Sequence, residues 1–365
     1  MAKMEGIGNM QVVDNKEDNF FCFPMISMPC TGSGYEEVDL IKSAFFYIRT
    51  NLFASMKTRI AELDYLKAVF ILLMIVFHLA YIGDKYPYAK SLVYTFHMPA
   101  FLIISGYVMN IAKGVRPFLR SMGWIFVPYA VMETGYVGMS ALLPVREAVE
   151  HLTVSLWLDK LFLHPLGPYW YLHTLMLCGL VYLGVDKLAG RGNHTVSVLI
   201  LLALCYAVLS VLGVLSLINA LYFMAGVALK RTAVDFRSFF VPSFWAIVPV
   251  VWLACDEANL DKGTLSGVAM TYLVISLLLA VFRYLPDGVK RPMNYIGSHT
   301  FILLVFSPVF TMAVKPLVKV FSFDGSGMIF LFVSLCICVL GSFGIALCLD
   351  CLHLSRFFWG KSRML

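Results

Sequence analysis

Several ionisable side chains lie within apolar stretches of the sequence, where charged groups are expensive to bury, and four of them stand out. Lys67 and His78 fall in the first stretch, His97 opens the second and Glu133 lies in the third. Inside a lipid bilayer, such a side chain costs roughly 2.5–3.5 kcal/mol. Imidazoles and carboxylates are also common acids, bases and nucleophiles of enzymes. These residues are therefore the first candidates for chemistry.

The spacing of Lys67 and His78 suggests that they act together. They are eleven residues apart, which is close to three helical turns, so both side chains lie on one helix face about 16 Å apart along the axis. We expect Lys67 at the inner membrane surface and His78 near the bilayer centre. The structural alternative is that His78 bonds a neighbouring carbonyl and Lys67 only extends to the interface. The shared face favours a functional role.

Glu133 is predicted to reach the depth of His78. It follows Arg120 by thirteen residues, or about 20 Å of helix rise. A carboxylate at this depth must be protonated or paired, and a histidine is an economical partner. The sequence thus predicts a site shared by Glu133 and His78.

Two further histidines lie towards the outer side. His97 belongs to Phe96-His97-Met98-Pro99, in which the proline bends or starts a helix. Gly106 follows and permits close helix contact. His173 comes after Tyr169-Trp170-Tyr171, and these aromatic residues also fit an interfacial belt. For both histidines, a purely structural role at a helix end remains an alternative.

The composition indicates the elements that must position these residues. The chain has 365 residues, of which 60% are hydrophobic and 14% charged, and its mean hydropathy is +0.81. Soluble domains are about 45–50% apolar and 25% charged, so a soluble enzyme, a disordered protein and a disulfide-rich module are excluded. The sequence predicts an all-α integral membrane protein. About ten transmembrane helices are expected near residues 66–83, 92–112, 122–143, 168–185, 196–215, 217–229, 239–255, 264–284, 296–316 and 328–349.

Loop charges predict the orientation of this bundle. With the N-terminus inside, seventeen Lys and Arg residues fall on the inner side and seven on the outer side. This bias places both termini in the cytoplasm of a multi-pass protein of the cell (inner) membrane. The net charge of +6 therefore requires no nucleic-acid partner. Lys67, Lys113, Arg116 and Arg120 could form a basic mouth for a phosphorylated ligand, or simply reflect this bias and contact lipid headgroups.

Three other regions are assigned more simply. Residues 1–56 are interpreted as an N-terminal extension of unknown role, preceding a transmembrane domain over 57–365. The stretch from His151 to Leu166 is predicted to be an interfacial helix. The Cys348-Leu-Asp-Cys351 pair stands alone, so neither a metal site nor a disulfide framework is expected.

Several motifs together resemble the membrane acyltransferase 3 family. Leu63-Asp64-Tyr65-Leu66-Lys67 followed by His78 is similar to its first-helix signature, and the segment from Phe96 to Tyr107 is similar to its second. The other similar segments are Arg116–Arg120 with Pro128-Tyr129, Tyr169–Leu172 and Tyr222–Gly226. The resemblance covers about residues 57–310 and is closest to a fucose-4-O-acetylase-like branch. Lys67 replaces the more usual Arg, and Ser307 stands where relatives often have His.

The resemblance implies an O-acyltransferase that moves an acetyl group from cytoplasmic acetyl-CoA to a hydroxyl of a carbohydrate or cell-surface glycan. It implies three groups of site residues. Catalysis is assigned to His78, Glu133 and His97; binding of the CoA phosphates to Lys67, Arg116 and Arg120; and substrate binding to Ser105, Tyr107, Trp170 and His173. Membrane lipids are further expected contacts.

Two other functions remain open from the sequence. Buried His and Glu side chains also suit a proton-coupled carrier or a flippase for a glycolipid or small polar substrate. Against this, the sequence has no internal repeat and no matched pair of broken helices. A non-catalytic subunit would use the buried polar residues for helix packing alone.

Overall fold

The computed structural model describes residues 60–142, 153–190 and 194–365 of the chain. Over these residues the protein is helical and has no β-strand, as the composition predicts. The proposed extension over residues 1–56 lies outside the described residues.

The described helices follow one another with short connections. In chain order they are α1 (Ala61–His78), α2 (Ala80–Lys85), α3 (Pro87–Val108), α4 (Val115–Leu142), α5 (Val154–Phe162), α6 (Trp170–Ala189), α7 (Thr195–Val211), α8 (Leu217–Arg231), α9 (Phe236–Phe239), α10 (Ile247–Ala254), α11 (Leu265–Tyr284), α12 (Asp287–Ser298), α13 (Thr300–Ala313), α14 (Leu317–Val320), α15 (Met328–Cys351) and α16 (Ser355–Trp359). A 3₁₀ turn over Gly167–Tyr169 leads directly into α6.

Each of the ten apolar runs in the sequence contains a helix. Within the described ranges, four helical segments are long and apolar enough to cross a membrane: Pro87–Val108, Gly167–Ala189, Leu265–Tyr284 and Met328–Cys351. A fifth span is possible if α12 and α13, which meet at a bend of 81°, together form one broken span. Over the residues described, the protein is therefore all-helical, with four to five helices able to span a membrane.

The run expected over residues 239–255 is the clearest departure from a regular span. Its helical part, Phe244–Ala254, is a 3₁₀ turn followed by the eight residues of α10. Proline at positions 242 and 249 removes backbone donors from this stretch. Since about 20 helical residues are needed to cross a bilayer, this segment alone is too short for a straight span.

Helices α3 and α8 cross at two glycines. A Cβ added at Gly106 would overlap the carbonyl oxygen of Phe223, and one added at Gly226 would overlap the carbonyl oxygen of Ile103. The backbones can approach this closely only because both positions lack a side chain. The close helix contact predicted for Gly106 is confirmed. This crossing fixes α3, the helix that presents His97.

A similar contact joins α12 to α1. A Cβ on Gly297 would overlap the backbone carbonyl of Asp64, so α12 lies directly against the first turns of α1. The Asp64 carboxylate is nearly buried and pairs with the ammonium of Lys67 at 2.5 Å. The start of α1 is thereby fixed by both backbone and side-chain contacts.

We expect Gly226→Ala to destabilise the protein by about 1–3 kcal/mol, because the added methyl group meets backbone that cannot rotate away. Gly184→Ala is the matched control, since a Cβ at this exposed helical position meets nothing within 4 Å. Thermal unfolding in detergent should show a lower midpoint for Gly226→Ala and an unchanged or higher one for Gly184→Ala. Equal midpoints for the two variants would contradict the close α3–α8 contact.

The predicted interfacial helix corresponds to α5. It begins after Thr153, whose hydroxyl accepts a hydrogen bond from the Leu156 amide at 3.2 Å. The helix ends at Phe162, so it is shorter than the predicted stretch to Leu166. The residues that follow α5 form an ordered connection to α6 and to the site described next.

Candidate active site

A cavity of about 960 Å³ opens at the end of the bundle where α1 ends and α3 begins. Its wall includes His78, His97 and Trp170 of the predicted site. Side chains from the connections before α8 and α11 complete the lining. The cavity therefore unites residues from the first, second and fourth predicted spans with loop residues from much later in the chain.

Helix α1 ends at His78, one of the residues that line this cavity. The sequence predicts one helix over residues 66–83, but Leu79 is extended, with φ −69° and ψ 102°, and α2 begins after it. A helix break at membrane depth is tolerated where it lines a cavity. His78 is thus the last residue of α1 and lines the cavity beside α3.

The ring of His78 has a defined tautomer. Its Nδ1 lies 2.7 Å from the carbonyl oxygen of Met74, one turn earlier. A carbonyl oxygen can only accept, so Nδ1 carries the hydrogen in this bond. In a neutral ring, Nε2 then has a free lone pair. The structure gives His78 the form that a general base or a nucleophile requires.

His97 repeats this arrangement on α3. Its Nδ1 lies 2.7 Å from the carbonyl oxygen of Val93, and the residue is only 2% exposed. Its Nε2 is buried and makes no hydrogen bond to any residue that the structure describes. A buried acceptor of this kind costs free energy unless a water or a ligand satisfies it. Because His97 lines the cavity, a group that enters there could satisfy this nitrogen.

The proline two residues after His97 also has a visible consequence. Pro99 lies inside α3 and has no N–H, which leaves the Thr95 carbonyl without its usual helical donor. The hydroxyl of Thr271 on α11 lies 3.5 Å from the Thr95 carbonyl oxygen. It also lies 2.9 Å from the carbonyl oxygen of Gly267, one turn earlier on the same helix. α11 thus supports the helix turn that carries His97.

Tyr94 lies between the two histidines and is missing from the predicted site. Its ring centroid is 6.3 Å from that of His78 and 5.1 Å from that of His97. Its hydroxyl donates to the Phe77 carbonyl at 3.3 Å. The sequence signal is the spacing: Tyr94 precedes His97 by three residues and shares its helix face. Tyr94 thereby joins α3 to the last turn of α1.

Two lysines complete the cavity wall, each with its ammonium over an aromatic ring. The Nζ of Lys90 lies 5.6 Å from the centroid of Tyr94, and the Nζ of Lys262 lies 5.6 Å from that of Trp170. Lys262 also donates to the Oδ1 of Asn219 at 2.9 Å. These contacts are of the cation–π type, and they hold both positive charges at the cavity.

Glu133 is fully buried, and its Oε1 accepts a hydrogen bond from the Leu166 amide at 2.6 Å. Leu166 belongs to the connection after α5. Glu133 is not among the residues that line the cavity, and the Nδ1 of His78 contacts the Met74 carbonyl. A catalytic site shared by Glu133 and His78 therefore stays a prediction.

Glu133 belongs to a face of α4 that holds this connection. Tyr129, four residues earlier, donates from its hydroxyl to the Leu161 carbonyl at 2.8 Å. Tyr136, three residues later, has its ring 6.1 Å from that of Tyr169. The segment held by these three residues leads to Trp170. Glu133 can thus act as a positioning residue for the cavity wall.

Three of the predicted substrate-binding residues lie outside the cavity wall. The Ser105 hydroxyl is 2.6 Å from the hydroxyl of Tyr171. The ring of Tyr107 lies 5.2 Å from that of Phe236, and the Nε2 of His173 lies 2.8 Å from the Phe162 carbonyl. These contacts join helices and loops to one another, while a substrate role for these residues remains a prediction.

The predicted donor-binding residues lie away from the cavity wall. Lys67 is in α1 and pairs with Asp64. Arg116 and Arg120 are exposed on successive turns at the start of α4, so they face one side of that helix. Over the described ranges, no cluster of three or more His, Cys, Asp or Glu residues could hold a metal ion.

Comparison with known proteins gives one result. No curated protein and no solved structure matches the chain. The model of the acyltransferase 3 family, described as an acyltransferase domain, matches residues 60–347. This range includes both histidines, the whole cavity wall and all the helices from α1 to α14. Because the match extends over most of the sequence, the chain belongs to the acyltransferase 3 family of membrane acyltransferases.

Proposed function

We propose that this acyltransferase moves an acetyl group from cytoplasmic acetyl-CoA to a hydroxyl of a carbohydrate or cell-surface glycan. One observation carries the proposal: His78 and His97 both engage Nδ1 with a backbone carbonyl and both line one cavity. Each therefore offers the lone pair of Nε2 to a hydroxyl-bearing molecule. Membership of the acyltransferase 3 family indicates that the reaction is an acyl transfer. The two histidines at the cavity favour a hydroxyl group as the acceptor.

In the proposed reaction, His78 is the general base. Its Nε2 takes the proton of the acceptor hydroxyl as that oxygen attacks the thioester carbonyl. The resulting tetrahedral oxyanion collapses, the carbon–sulfur bond breaks, and the CoA thiolate recovers the proton from His78. The Nδ1–H bond to Met74 at 2.7 Å keeps the ring oriented throughout.

The same nitrogen permits a second route. Nε2 can attack the thioester itself, so that the carbon–sulfur bond breaks, CoA leaves as its thiolate and the acetyl group is bound to Nε2 as an acetyl-imidazole. The acceptor oxygen then attacks this acetyl group, the carbon–nitrogen bond breaks, and the hydroxyl proton passes to the thiolate. Both routes require the same tautomer of His78. They differ in whether labelled acetyl becomes attached to the protein in the absence of an acceptor.

His97 is assigned to the acceptor. Its Nδ1 is already used as a donor, so neutral His97 has only an acceptor at Nε2 and cannot donate to an oxyanion. This tautomer favours a role in which His97 accepts a hydrogen bond from the acceptor hydroxyl. The ring of Tyr94 lies between the two histidines. It would therefore set the distance between a hydroxyl bound at His97 and the base, His78.

The donor is proposed to approach from the opposite end of α1. Lys67 lies eleven residues before His78, about 16 Å along the helix axis. An extended pantetheine arm is long enough to approach His78 while the CoA phosphates stay with Lys67, Arg116 and Arg120. Because the Lys67 ammonium pairs with Asp64, a phosphate must share or displace that contact.

We expect Lys67→Ala to raise the KM for acetyl-CoA about tenfold with a small effect on kcat, since a contact to a charged group is worth about 1.5–3 kcal/mol. Lys187→Ala, an exposed lysine at the end of α6, is the control and should leave KM unchanged. Initial rates over a range of acetyl-CoA concentrations measure both. An unchanged KM in Lys67→Ala would place the donor phosphates elsewhere.

The proposed orientation has about ten spans, with both termini in the cytoplasm and the protein in the cell (inner) membrane. The loop bias of seventeen basic residues against seven supports it. Lys90, near the start of α3, and Lys262, in the connection before α11, line the cavity and lie on the outer side in this orientation. The acceptor would then reach the cavity from outside the cell membrane.

Vesicles of defined sidedness test the whole proposal. Inside-out vesicles should transfer labelled acetyl from external acetyl-CoA to a glycan enclosed in the lumen, whereas right-side-out vesicles should transfer none from external donor. Vesicles without the protein are the control. Transfer to a glycan supplied only on the donor side would overturn the proposed route across the membrane.

A further inference from the structure

We propose that the acceptor carries an anionic group, a carboxylate or a phosphate, and that Lys90 and Lys262 bind this group beside the two histidines. The inference rests on the proposed function and narrows its substrate class. It follows from the positions of the two lysines and from the distribution of charge around the cavity.

Lys262 is held in a fixed position by its loop. Its carbonyl accepts a hydrogen bond from the Tyr222 hydroxyl at 2.7 Å, and its Nζ contacts Asn219 at 2.9 Å and faces the ring of Trp170. An ammonium has three N–H donors, of which Asn219 uses one. Since Lys262 lines the cavity, the others are available to a ligand there.

Lys90 belongs to the helix face that carries the other groups of the site. Lys90, Tyr94 and His97 are spaced by four and three residues on α3, the spacing of one helix face. All three line the cavity, and the Nζ of Lys90 lies over the ring between the histidines. A ligand held by Lys90 would therefore lie next to both imidazoles.

The charge distribution favours an anion. In the ranges that the structure describes, neither Lys90 nor Lys262 forms an ion pair with a carboxylate. Both lysines are half-buried, whereas the two carboxylates at the cavity, Asp84 and Asp261, are exposed. Asp261 also accepts from the Gly263 amide at 2.8 Å. Partly buried positive charge thus lies deeper than the negative charge.

The electrostatics of Lys262 agree with this picture. Burial lowers the pKa of Lys262, because desolvation penalises the ammonium, and the nearby Asp261 carboxylate offsets this only in part. A ligand anion would compensate for that penalty, which a neutral sugar cannot do to the same extent. The site is therefore better matched to a charged acceptor than to a neutral one.

Three sugars that share one ring test the inference: methyl glucuronoside, methyl glucoside 6-phosphate and neutral methyl glucoside. Their binding to the full-length, detergent-purified protein would be measured by titration calorimetry. We expect at least one charged sugar to bind about tenfold or more tightly than the neutral sugar, which corresponds to 1.4 kcal/mol. The tighter of the two charged sugars identifies carboxylate or phosphate as the group.

Variants assign the preference to the two lysines. The double variant Lys90→Gln with Lys262→Gln should bind all three sugars with similar affinity. The matched control is Lys85→Gln, because Lys85 also places its Nζ over a tyrosine ring, at 5.5 Å from Tyr81, yet does not line the cavity. It should keep the preference. Equal binding of charged and neutral sugars by the unmodified protein, or an undiminished preference in the double variant, would overturn the inference.

Measurements on the same preparations separate this inference from the proposed function. Acetate release from acetyl-CoA, without any sugar, reports the acyl-transfer chemistry alone. Lysine-dependent binding of a charged sugar without any use of acetyl-CoA would overturn the function and keep the anion site. Equal acetylation of charged and neutral sugars would overturn the anion site and keep the proposed function. A double variant altered only in its KM for acetyl-CoA would also overturn the inference, by assigning the lysines to the donor.

Discussion

His78→Ala is expected to lower the rate of acetyl transfer by about 10²–10⁴-fold, the contribution typical of a general base. The variant removes both ring nitrogens: Nδ1, which contacts the Met74 carbonyl, and Nε2, the proposed base. No neighbour can replace it, because His97 lies on another helix with its own tether to Val93. If the acetyl-imidazole route operates, the loss is larger still, since no nucleophile remains.

The fold should survive this substitution. His78 is half-buried at the end of α1, lines the cavity and is not part of the hydrophobic core cluster. Expression in the membrane, elution as a single species and thermal midpoint should match those of the unmodified protein. His194→Ala, at an exposed histidine that precedes α7, is the matched control and should keep full activity. A well-folded His78→Ala with most of its activity would show that His78 is not the base.

His97→Ala is expected to cause the second-largest loss, and of a different kind. Without the Nε2 acceptor, the acceptor hydroxyl loses its proposed partner, so the KM for the acceptor should rise by about tenfold or more. Slow release of acetate from acetyl-CoA should continue, because it needs only His78 and water. Rates with and without acceptor, measured in parallel, distinguish these two effects.

The conservative variant His97→Gln sharpens this test. A glutamine oxygen can take the place of the Nε2 acceptor, so we expect His97→Gln to recover part of the affinity for the acceptor. A role in packing alone predicts equal losses for both variants, together with a lower thermal midpoint. Loss of acetate release in His97→Ala would instead make His97 part of the base machinery.

Much of the architecture could be predicted from the sequence, because local rules govern it. Apolar runs of helical length predicted the positions of helices, and Gly106 in an apolar helix predicted the close contact that Gly226 completes on α8. The break after His78 was not predicted. Leu79 is as apolar as its neighbours, so hydrophobicity gives no signal for the extended backbone there.

The two histidines could be found from the sequence because buried imidazoles in apolar runs are unusual. The other members of the site could not be found in this way. Lys262 reaches the cavity from a loop more than 160 residues after His97, and only tertiary structure brings the two together. The contact between Glu133 and the Leu166 amide could not be predicted either, since no sequence pattern marks a backbone group as a partner.

The account is tested most directly by following radiolabelled acetyl-CoA with purified protein, with the unmodified chain beside His78→Ala. The account predicts saturable donor binding in both proteins, and release of labelled acetate or labelling of the protein only in the unmodified chain. Turnover that is equal in the two proteins would contradict the assignment of His78. Absence of donor binding in folded, unmodified protein would contradict the use of acetyl-CoA itself.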